Sequence, residues 1–221
     1  MTDSRNADAN QLAADSLAQG DPTGWFERLY VAAADGAAVV PWDAAEPNPL
    51  LVDWLERHER VGGGMRAMVV GCGLGRDAEH LAGLGFDTTA FDIAETAIKV
   101  ARERFPSSMV NYVVADLLDP PAAWFGAFDL VVESITVQAL PVSLRADATA
   151  NVSRMVAPGG DLLVIAGIRA DGEEVDGPPW PLTRAEIDAF ARDGLRPIRV
   201  EQVAPAGQPG RPRWRAVFQR S

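Results

Sequence analysis

Cysteine, histidine and lysine are scarce in this sequence. A single cysteine, Cys72, excludes an internal disulfide and any metal site built on several cysteines. The two histidines, His58 and His80, lie in separate segments among charged or helix-forming neighbours, so we expect each on a solvated helix and predict no metal site. Lys99 is the one lysine among 20 basic residues, and this preference for arginine, with abundant alanine, indicates a GC-rich bacterial source.

Long apolar runs are also missing. The longest, such as residues 162–167, end well before the roughly 18 residues that a membrane span needs. Residues 1–10 are polar and show no basic start followed by an apolar core, which is the pattern of a secretory signal. We therefore expect a protein with no membrane partner and a cytoplasmic location.

Positive charge is in deficit. The net charge of −11 argues against a nucleic-acid partner, because binding phosphates requires a positive face. The composition, 48% hydrophobic and 23% charged, is typical of a globular protein, and 221 residues suit one good-sized domain. The oligomeric state, monomer or homodimer, is left open by these numbers.

Apolar and helical patterns alternate from residue 65 onward. Strands are predicted at 65–70, 88–91, 110–115, 128–132 and 161–166, with helices at 76–84, 94–104 and 143–155 between them. A further helix over 184–191 follows Thr183, and Glu186 completes a capping box. Two late strands, 198–203 and 214–219, predict an antiparallel hairpin at the sheet edge. The sum is a doubly wound, Rossmann-like α/β fold, with a mostly parallel seven-stranded sheet, an antiparallel edge strand and helices on both faces.

A glycine-rich loop, Gly71-Cys72-Gly73-Leu74-Gly75, joins the first of these strands to the first helix. Glycines let the backbone turn sharply and approach a ligand, and the helix start offers free N–H groups. In a doubly wound sheet such a loop lies outside the carboxyl ends of the strands, where ligands bind. We predict a binding loop rather than a plain tight turn, with Cys72 packed as a small apolar residue rather than acting as a nucleophile.

Acidic residues end the next two strands. Asp92, about 20 residues past the loop, is placed to accept both hydroxyls of a ribose, and Asp116 could accept an adenine amino group. Several adenosine cofactors share these features. Because Gly73-x-Gly75-x-x-Ala78 also fits the looser dinucleotide pattern, an NAD(P)-dependent oxidoreductase remains an alternative.

The order of motifs resembles one known family. Over about residues 65–167 the chain is similar to class I S-adenosylmethionine-dependent methyltransferases, through Gly71 to Asp77, Phe91-Asp92-Ile93, Ala115-Asp116, Phe128-Asp129-Leu130 and Pro158-Gly159-Gly160. A narrower resemblance, to the thiopurine and halide/thiol methyltransferases, comes from Pro41-Trp42-Asp43, Pro47-x-Pro49-x-Leu51 and the downstream Gly177-Pro178-Pro179-Trp180.

The resemblance implies S-adenosylmethionine as cofactor and S-adenosylhomocysteine as product. It also implies that residues 1–64 form a helical and loop cap over the cofactor site of a binding domain at 65–221, within one structural domain. The aromatic face of a tryptophan would then meet the cationic sulfonium. The expected cofactor-binding residues are Trp25, Trp42, Gly71, Cys72, Gly73, Gly75, Asp77, Asp92, Ile93, Asp116, Leu117 and Glu133.

The residues expected to bind the methyl acceptor, the acceptor side of the site, depart from those families. Where they carry bulky aromatics after strand four, this chain has the smaller and more polar run from Glu133 to Gln138, so their substrates are not implied. We expect a substrate pocket formed by Ser134, Gln138, Arg169 and Trp180.

Two residues are candidates for a catalytic base, Glu133 and Asp43. Their alternative roles are to fix backbone or the cofactor's amino group, for Glu133, and to order its loop, for Asp43. The predicted function is in-line methyl transfer to a small-molecule thiol, nitrogen heterocycle or hydroxyl, preferred in that order. A non-catalytic S-adenosylmethionine-binding protein is a further alternative.

Overall fold

The computed structural model describes residues 6–175, 177–204 and 211–221. Its helices are α1 (Ala7–Ala18), α2 (Gly24–Ala34), α3 (Pro49–Arg57), α4 (Arg76–Gly83), α5 (Glu95–Arg104), α6 (Val142–Met155) and α7 (Arg184–Asp188). Its strands are β1 (Arg66–Val70), β2 (Asp87–Asp92), β3 (Asn111–Val114), β4 (Phe128–Ser134), β5 (Val156–Gly167), β6 (Leu195–Val203) and β7 (Arg213–Arg220). Across these described ranges, none of the helices has the length and hydropathy to cross a membrane.

The seven strands form one sheet in the order β3-β2-β1-β4-β5-β7-β6. Strands β1 to β5 pair in parallel, whereas β7 runs antiparallel to both β5 and β6. The predicted mostly parallel seven-stranded sheet is therefore confirmed. The late hairpin also forms, and its second strand lies inside the sheet, leaving β6 at the edge.

Some boundaries differ from the sequence prediction. Strand β5 begins at Val156 rather than at 161, because Val156 pairs with Phe128 before the register shifts to Leu130 opposite Asp161. The glycines after Pro158 thus lie in an irregularity within the strand. Helix α7 ends at Asp188 rather than at 191, although its predicted capping box, with Thr183 and Glu186 bonded reciprocally, is present.

Helices cover both faces of the sheet and one edge. The side chains of α3, α4 and α5 pack on one face, and those of α6 and α7 pack on the other. Helices α1 and α2 form a third cluster against the start of α5. The first twenty residues thus include a helix, α1, while residues 1–5 lie outside the described chain. This arrangement brings α1 and α2 to the edge where β1 and β2 end.

The connection into β1 offers a test of this packing. A side chain at Gly62 would collide with the backbone of Gly85 and Phe86. We expect Gly62→Ala to lower the free energy of unfolding by about 1–3 kcal/mol or more, because backbone cannot move aside as a flexible side chain can.

Gly83, the last residue of α4, is the matched control because nothing lies within 4 Å of a Cβ there. Gly83→Ala should leave stability unchanged or raise it by up to about 1 kcal/mol. Urea denaturation measures both variants. Equal midpoints would contradict the tight contact between residues 62 and 85–86.

Candidate functional site

The glycine loop connects the end of β1 to the start of α4. Gly71, Gly73 and Gly75 have φ of +59°, +51° and +90°, a region that favours glycine. A Cβ on Gly73 would lie 3.0 Å from the Tyr30 hydroxyl and 3.7 Å from the Trp42 ring. The loop therefore runs directly beneath residues of the N-terminal segment, and glycine is required there for space as well as for its backbone angles.

Asp92 fixes this loop to the end of β2. One carboxylate oxygen accepts the Gly73 N–H at 2.9 Å and the other accepts the Ala94 N–H at 3.0 Å. Burial raises the pKa of Asp92 to about 6, and the backbone N–H groups oppose that rise. A carboxylate offers about four acceptor positions, so capacity for ribose hydroxyls remains. The geometry fits the predicted cofactor role.

Cys72 lies between Gly71 and Gly73, and it has no catalytic partner among the described residues. Its N–H donates to the Phe91 carbonyl, and its side chain packs against the cluster under α3 and α4. Burial raises the pKa of the thiol well above its ordinary value, and the charge of Asp92 adds to this. A neutral, packed thiol agrees with the expected small apolar role.

Aromatic side chains of the N-terminal segment gather over Gly73. The Trp42 indole N–H donates to the Tyr30 hydroxyl at 2.7 Å, and the Trp42 ring is 37% exposed. Trp25, in contrast, is 1% exposed because it stacks on Phe26 at 3.9 Å, and it meets Trp42 edge-on at 6.0 Å. Of the two predicted cofactor contacts, Trp42 thus has an open face, whereas Trp25 supports it from the core.

Asn48 is a site residue that the sequence analysis missed. Its backbone N–H donates to Asp77 at 2.7 Å, and its side-chain amide donates to the Ser134 hydroxyl at 3.0 Å. Its side-chain oxygen caps α3 by accepting the Leu50 N–H. Asp77 therefore holds the N-terminal segment, and its burial raises its pKa. The available signal was an N-cap residue type directly before Pro49.

Glu133 lies near the carboxyl end of β4, paired in register with Val70, the last residue before the glycine loop. Its side chain is fully buried, and Oε1 accepts the Val137 N–H at 2.9 Å. Its other oxygen, Oε2, has no hydrogen-bond partner among the described residues. Burial raises the pKa of Glu133 to about 7. A buried carboxylate oxygen without a hydrogen-bond partner marks a position for a proton or a ligand group.

The remaining predicted cofactor residues follow β2 and β3. Ile93 is partly exposed directly after Asp92, and Leu117 is buried. One oxygen of Asp116 accepts the Leu118 N–H at 2.8 Å, which orders the turn after β3. These positions lie at the same sheet edge as the glycine loop, because β1, β2 and β3 are parallel neighbours.

Asp43, the second candidate base, is engaged in an ion pair. Its two oxygens accept from the Arg104 guanidinium at 2.8 and 3.1 Å. A bidentate pair orders both of its partners. This geometry fits the alternative role, in which Asp43 orders its loop against α5.

On the acceptor side, the side chains of Gln138 and Arg169 hold a loop. Gln138 is 2% exposed; its side-chain oxygen accepts the Gly167 N–H at 2.5 Å and its carbonyl accepts the Trp180 N–H at 2.8 Å. Arg169 pairs with Glu186 at 2.9 Å and donates to the Pro181 carbonyl at 3.0 Å. The guanidinium of Arg169, expected in the substrate pocket, thus already has partners within the protein.

Arg145 on α6 completes this cluster, and sequence reasoning missed it. It is 4% exposed and donates to the carbonyls of Leu140 and Trp180, at 3.0 and 2.8 Å, and to Glu186 at 2.5 Å. Glu186 also accepts the Thr183 N–H, as the capping box requires. An arginine within a helical pattern carries no sequence signal for such a role.

Known proteins match the part of the chain that forms this site. The profile of the family described as "Methyltransferase domain" matches residues 67–160. A 2-heptyl-1-hydroxyquinolin-4(1H)-one methyltransferase of Mycobacteroides abscessus is 28% identical over 172 residues, 74% of each chain. A probable thiol methyltransferase 2 of Arabidopsis thaliana is 25% identical, with the match covering 85% of this chain and 78% of that one.

The fold matches as well. The N-methyltransferase NodS of Bradyrhizobium japonicum, solved in complex with S-adenosyl-L-homocysteine, aligns with a TM-score of 0.66 over 88% of this chain and 98% of that one, at 19% identity. Together with the family match and the curated relatives, the sheet and its glycine loop lead to one conclusion. The chain is an S-adenosylmethionine-dependent methyltransferase.

Removing the Asp92 carboxylate tests the cofactor site. We expect Asp92→Ala to weaken S-adenosylhomocysteine binding about tenfold to a hundredfold, because an acceptor for ribose hydroxyls is lost and the Gly73 N–H loses its partner. Calorimetric titration measures the affinity. Asp87→Ala is the control, since Asp87 is an exposed residue at the opposite end of β2. Equal losses in both variants, or binding of NAD by the wild type, would contradict this assignment.

Proposed function

We propose that this methyltransferase transfers the methyl group to a small-molecule nucleophile, a thiol, a ring nitrogen or a hydroxyl, by in-line displacement. The observation that carries the proposal is the fully buried carboxylate of Glu133, whose Oε2 has no partner among the described residues and whose strand neighbour directly precedes the glycine loop. When bound, S-adenosylmethionine supplies an electrophilic methyl group on a sulfonium. The residues of the chain bind, align the reactants, exclude water and hold a proton.

The cofactor-binding residues proposed here lie along the carboxyl ends of β1, β2 and β3. The loop from Gly71 to Gly75 offers close backbone approach, and Asp92 offers acceptors for ribose hydroxyls. With the ribose at Asp92, the adenine ring would lie beside Asp116, Ile93 and Leu117. This arrangement is the one that parallel sheets use for adenosine ligands.

The segment 1–64 acts in this proposal as a cap. Tyr30 and Trp42 lie over Gly73, and Glu27 accepts from the backbone and hydroxyl of Thr96 at the start of α5. On the acceptor side, the side-chain nitrogen of Asn10 in α1 donates to the Pro178 carbonyl at 2.5 Å, in the amide orientation that satisfies both groups. The cap thus touches both halves of the site, which supports a role in excluding water.

Glu133 is proposed as the general base for acceptors that carry a proton. With a hydroxyl acceptor, Oε2 would take the proton while the acceptor oxygen bonds to the methyl carbon in place of the sulfonium sulfur, with S-adenosylhomocysteine as the leaving group. A pKa raised to about 7 suits that task, because the base form is then available near neutral pH and the proton is held firmly. An ionised thiol or an aromatic nitrogen reacts without this step.

The curated relatives support a small acceptor. By their names, they methylate a hydroxyquinolone and a thiol. We also infer kinship with the thiopurine and halide/thiol methyltransferases, which is supported by Pro41-Trp42-Asp43 and by the match to the thiol enzyme. The polar run after Glu133 argues for an acceptor different from the thiopurines or halides.

The base role predicts a pH profile. With a neutral phenol as acceptor, the rate should rise about tenfold per pH unit below 7 and level off above it, because Glu133 must be ionised to take the proton. Glu133→Gln should lower kcat/KM for the phenol about a hundredfold and remove this rise.

The same substitution should change the rate with a thiophenol, which is already ionised, far less. Glu103→Gln, an exposed change on α5, is the control. Product formation followed by mass spectrometry measures both acceptors. An unchanged phenol profile in Glu133→Gln would contradict the role of this base.

The cap role of Trp42 predicts a charge-selective loss. Trp42→Ala should weaken binding of S-adenosylmethionine, which is cationic at sulfur, more than binding of neutral S-adenosylhomocysteine, by a ratio of about 2 to 30. Trp42→Phe keeps an aromatic face and should retain most of that ratio, although it loses the bond to Tyr30. Calorimetry with both ligands gives the comparison, and equal losses for the two ligands in Trp42→Ala would refute the contact.

A further inference from the structure

A depression of about 280 Å³ lies beside the acceptor side of the site. Its lining is formed by Val142, Arg169, Glu173, Glu174, Val175 and Trp180. The short turn Val137–Ala139 connects it to the candidate base: the Val137 N–H donates to Glu133, and the carbonyl of Gln138 accepts the Trp180 N–H. Glu133 and the depression thus lie on either side of the same buried turn.

The wall formed by Trp180 is fixed in place. Its N–H donates to Gln138 and its carbonyl accepts from Arg145, so both backbone groups of this residue are held by elements that follow β4. The base of the same loop is fixed by the bond from the Leu182 N–H to the Gly167 carbonyl. The depression thus exists before any ligand arrives, and little ordering remains to be done on binding.

The lining includes apolar side chains that water reaches. Val142, at the start of α6, is 65% exposed, and Val175 and Trp180 are partly exposed. Apolar groups gathered around a concave surface gain free energy when a ligand removes them from water.

Charge around the depression disfavours anions. Among the described lining residues the charged ones are Arg169, Glu173 and Glu174, and Arg169 already pairs with Glu186. In a chain of net charge −11, an anionic group on the ligand would be repelled there.

We infer that this depression binds the non-reacting part of the methyl acceptor, and that this part is an apolar, uncharged substituent such as an alkyl chain. The inference rests on the proposed function, because that proposal places the reacting atom at Glu133. It makes Val142 and Trp180 residues that determine acceptor specificity.

A homologous series tests the inference. 4-Ethylphenol, 4-butylphenol and 4-hexylphenol are titrated by calorimetry into protein saturated with S-adenosylhomocysteine. We expect affinity to rise about two- to fourfold per added methylene, as burial of a CH₂ group predicts. 5-(4-Hydroxyphenyl)pentanoate, which ends in a carboxylate, should bind at least about tenfold more weakly than 4-butylphenol, because the anion is repelled.

Two variants localise the effect. Val142→Asp places a charge in the depression at a helix start, where aspartate is tolerated, and should abolish the dependence on chain length. Met109→Asp changes another exposed apolar residue, 88% exposed and outside the lining, and should keep it. A dependence on chain length that persists in Val142→Asp, or that is absent from the wild type, would overturn the inference.

Methylation of the same phenols by the wild type, measured with S-adenosylmethionine, separates this inference from the proposed function. Binding that depends on chain length without methylated product would contradict the proposed function and leave the depression's role intact. Product formation with no dependence of affinity on chain length would contradict the inference about the depression and leave the proposed function intact.

Discussion

The hydrogen bond from the Gly73 N–H to the buried carboxylate of Asp92 is the interaction on which the site depends. It fastens a loop of left-handed glycines to the end of the neighbouring strand, at 2.9 Å and away from water. With the loop fixed, a Cβ on Gly73 would lie 3.0 Å from the Tyr30 hydroxyl and 3.7 Å from the Trp42 ring, so both aromatic residues pack closely on the loop. Trp42 packs against the glycine loop, and the Asp92 carboxylate holds that loop. The position of the N-terminal segment thus follows from the position of the loop.

Two buried carboxylates at this edge of the sheet differ in how they are compensated. Both have pKa values raised by burial, Asp92 to about 6 and Glu133 to about 7. Asp92 accepts a backbone N–H at each oxygen, whereas Glu133 accepts one at Oε1 and none of the described residues bonds to Oε2. Burial raises both pKa values, and backbone N–H groups oppose the rise at both side chains, so the contrast between them lies in their hydrogen bonds. It agrees with the proposed roles of Asp92 as an acceptor for ribose hydroxyls and of Glu133 as a base.

The sequence predicted well those parts that local patterns determine. Buried parallel strands appear as short apolar runs, and the glycine loop and Asp92 stand at fixed distances from them, so the sheet and the positions of these residues at its edge could be derived. Their binding of the cofactor stays a prediction. Asn48 and Arg145 could not, because their partners, such as Ser134 and Glu186, lie 86 and 41 residues away along the chain. Arg169 was expected to face a ligand, yet its guanidinium holds a loop. Only tertiary packing decides which of these roles an arginine takes.

The two halves of the site are therefore built on different principles. On the cofactor side, the loop is shaped by backbone conformation and held by one carboxylate, that of Asp92. On the acceptor side, the loop that carries Trp180 is held by the side chains of Arg145 and Glu186 and by the backbone carbonyl of Gln138. Relatives 25–28% identical to this chain are named for acceptors as different as a hydroxyquinolone and a thiol. The side-chain contacts that fix the Trp180 loop involve neither Asp92 nor Gly73, so the two halves of the site are held by separate sets of residues.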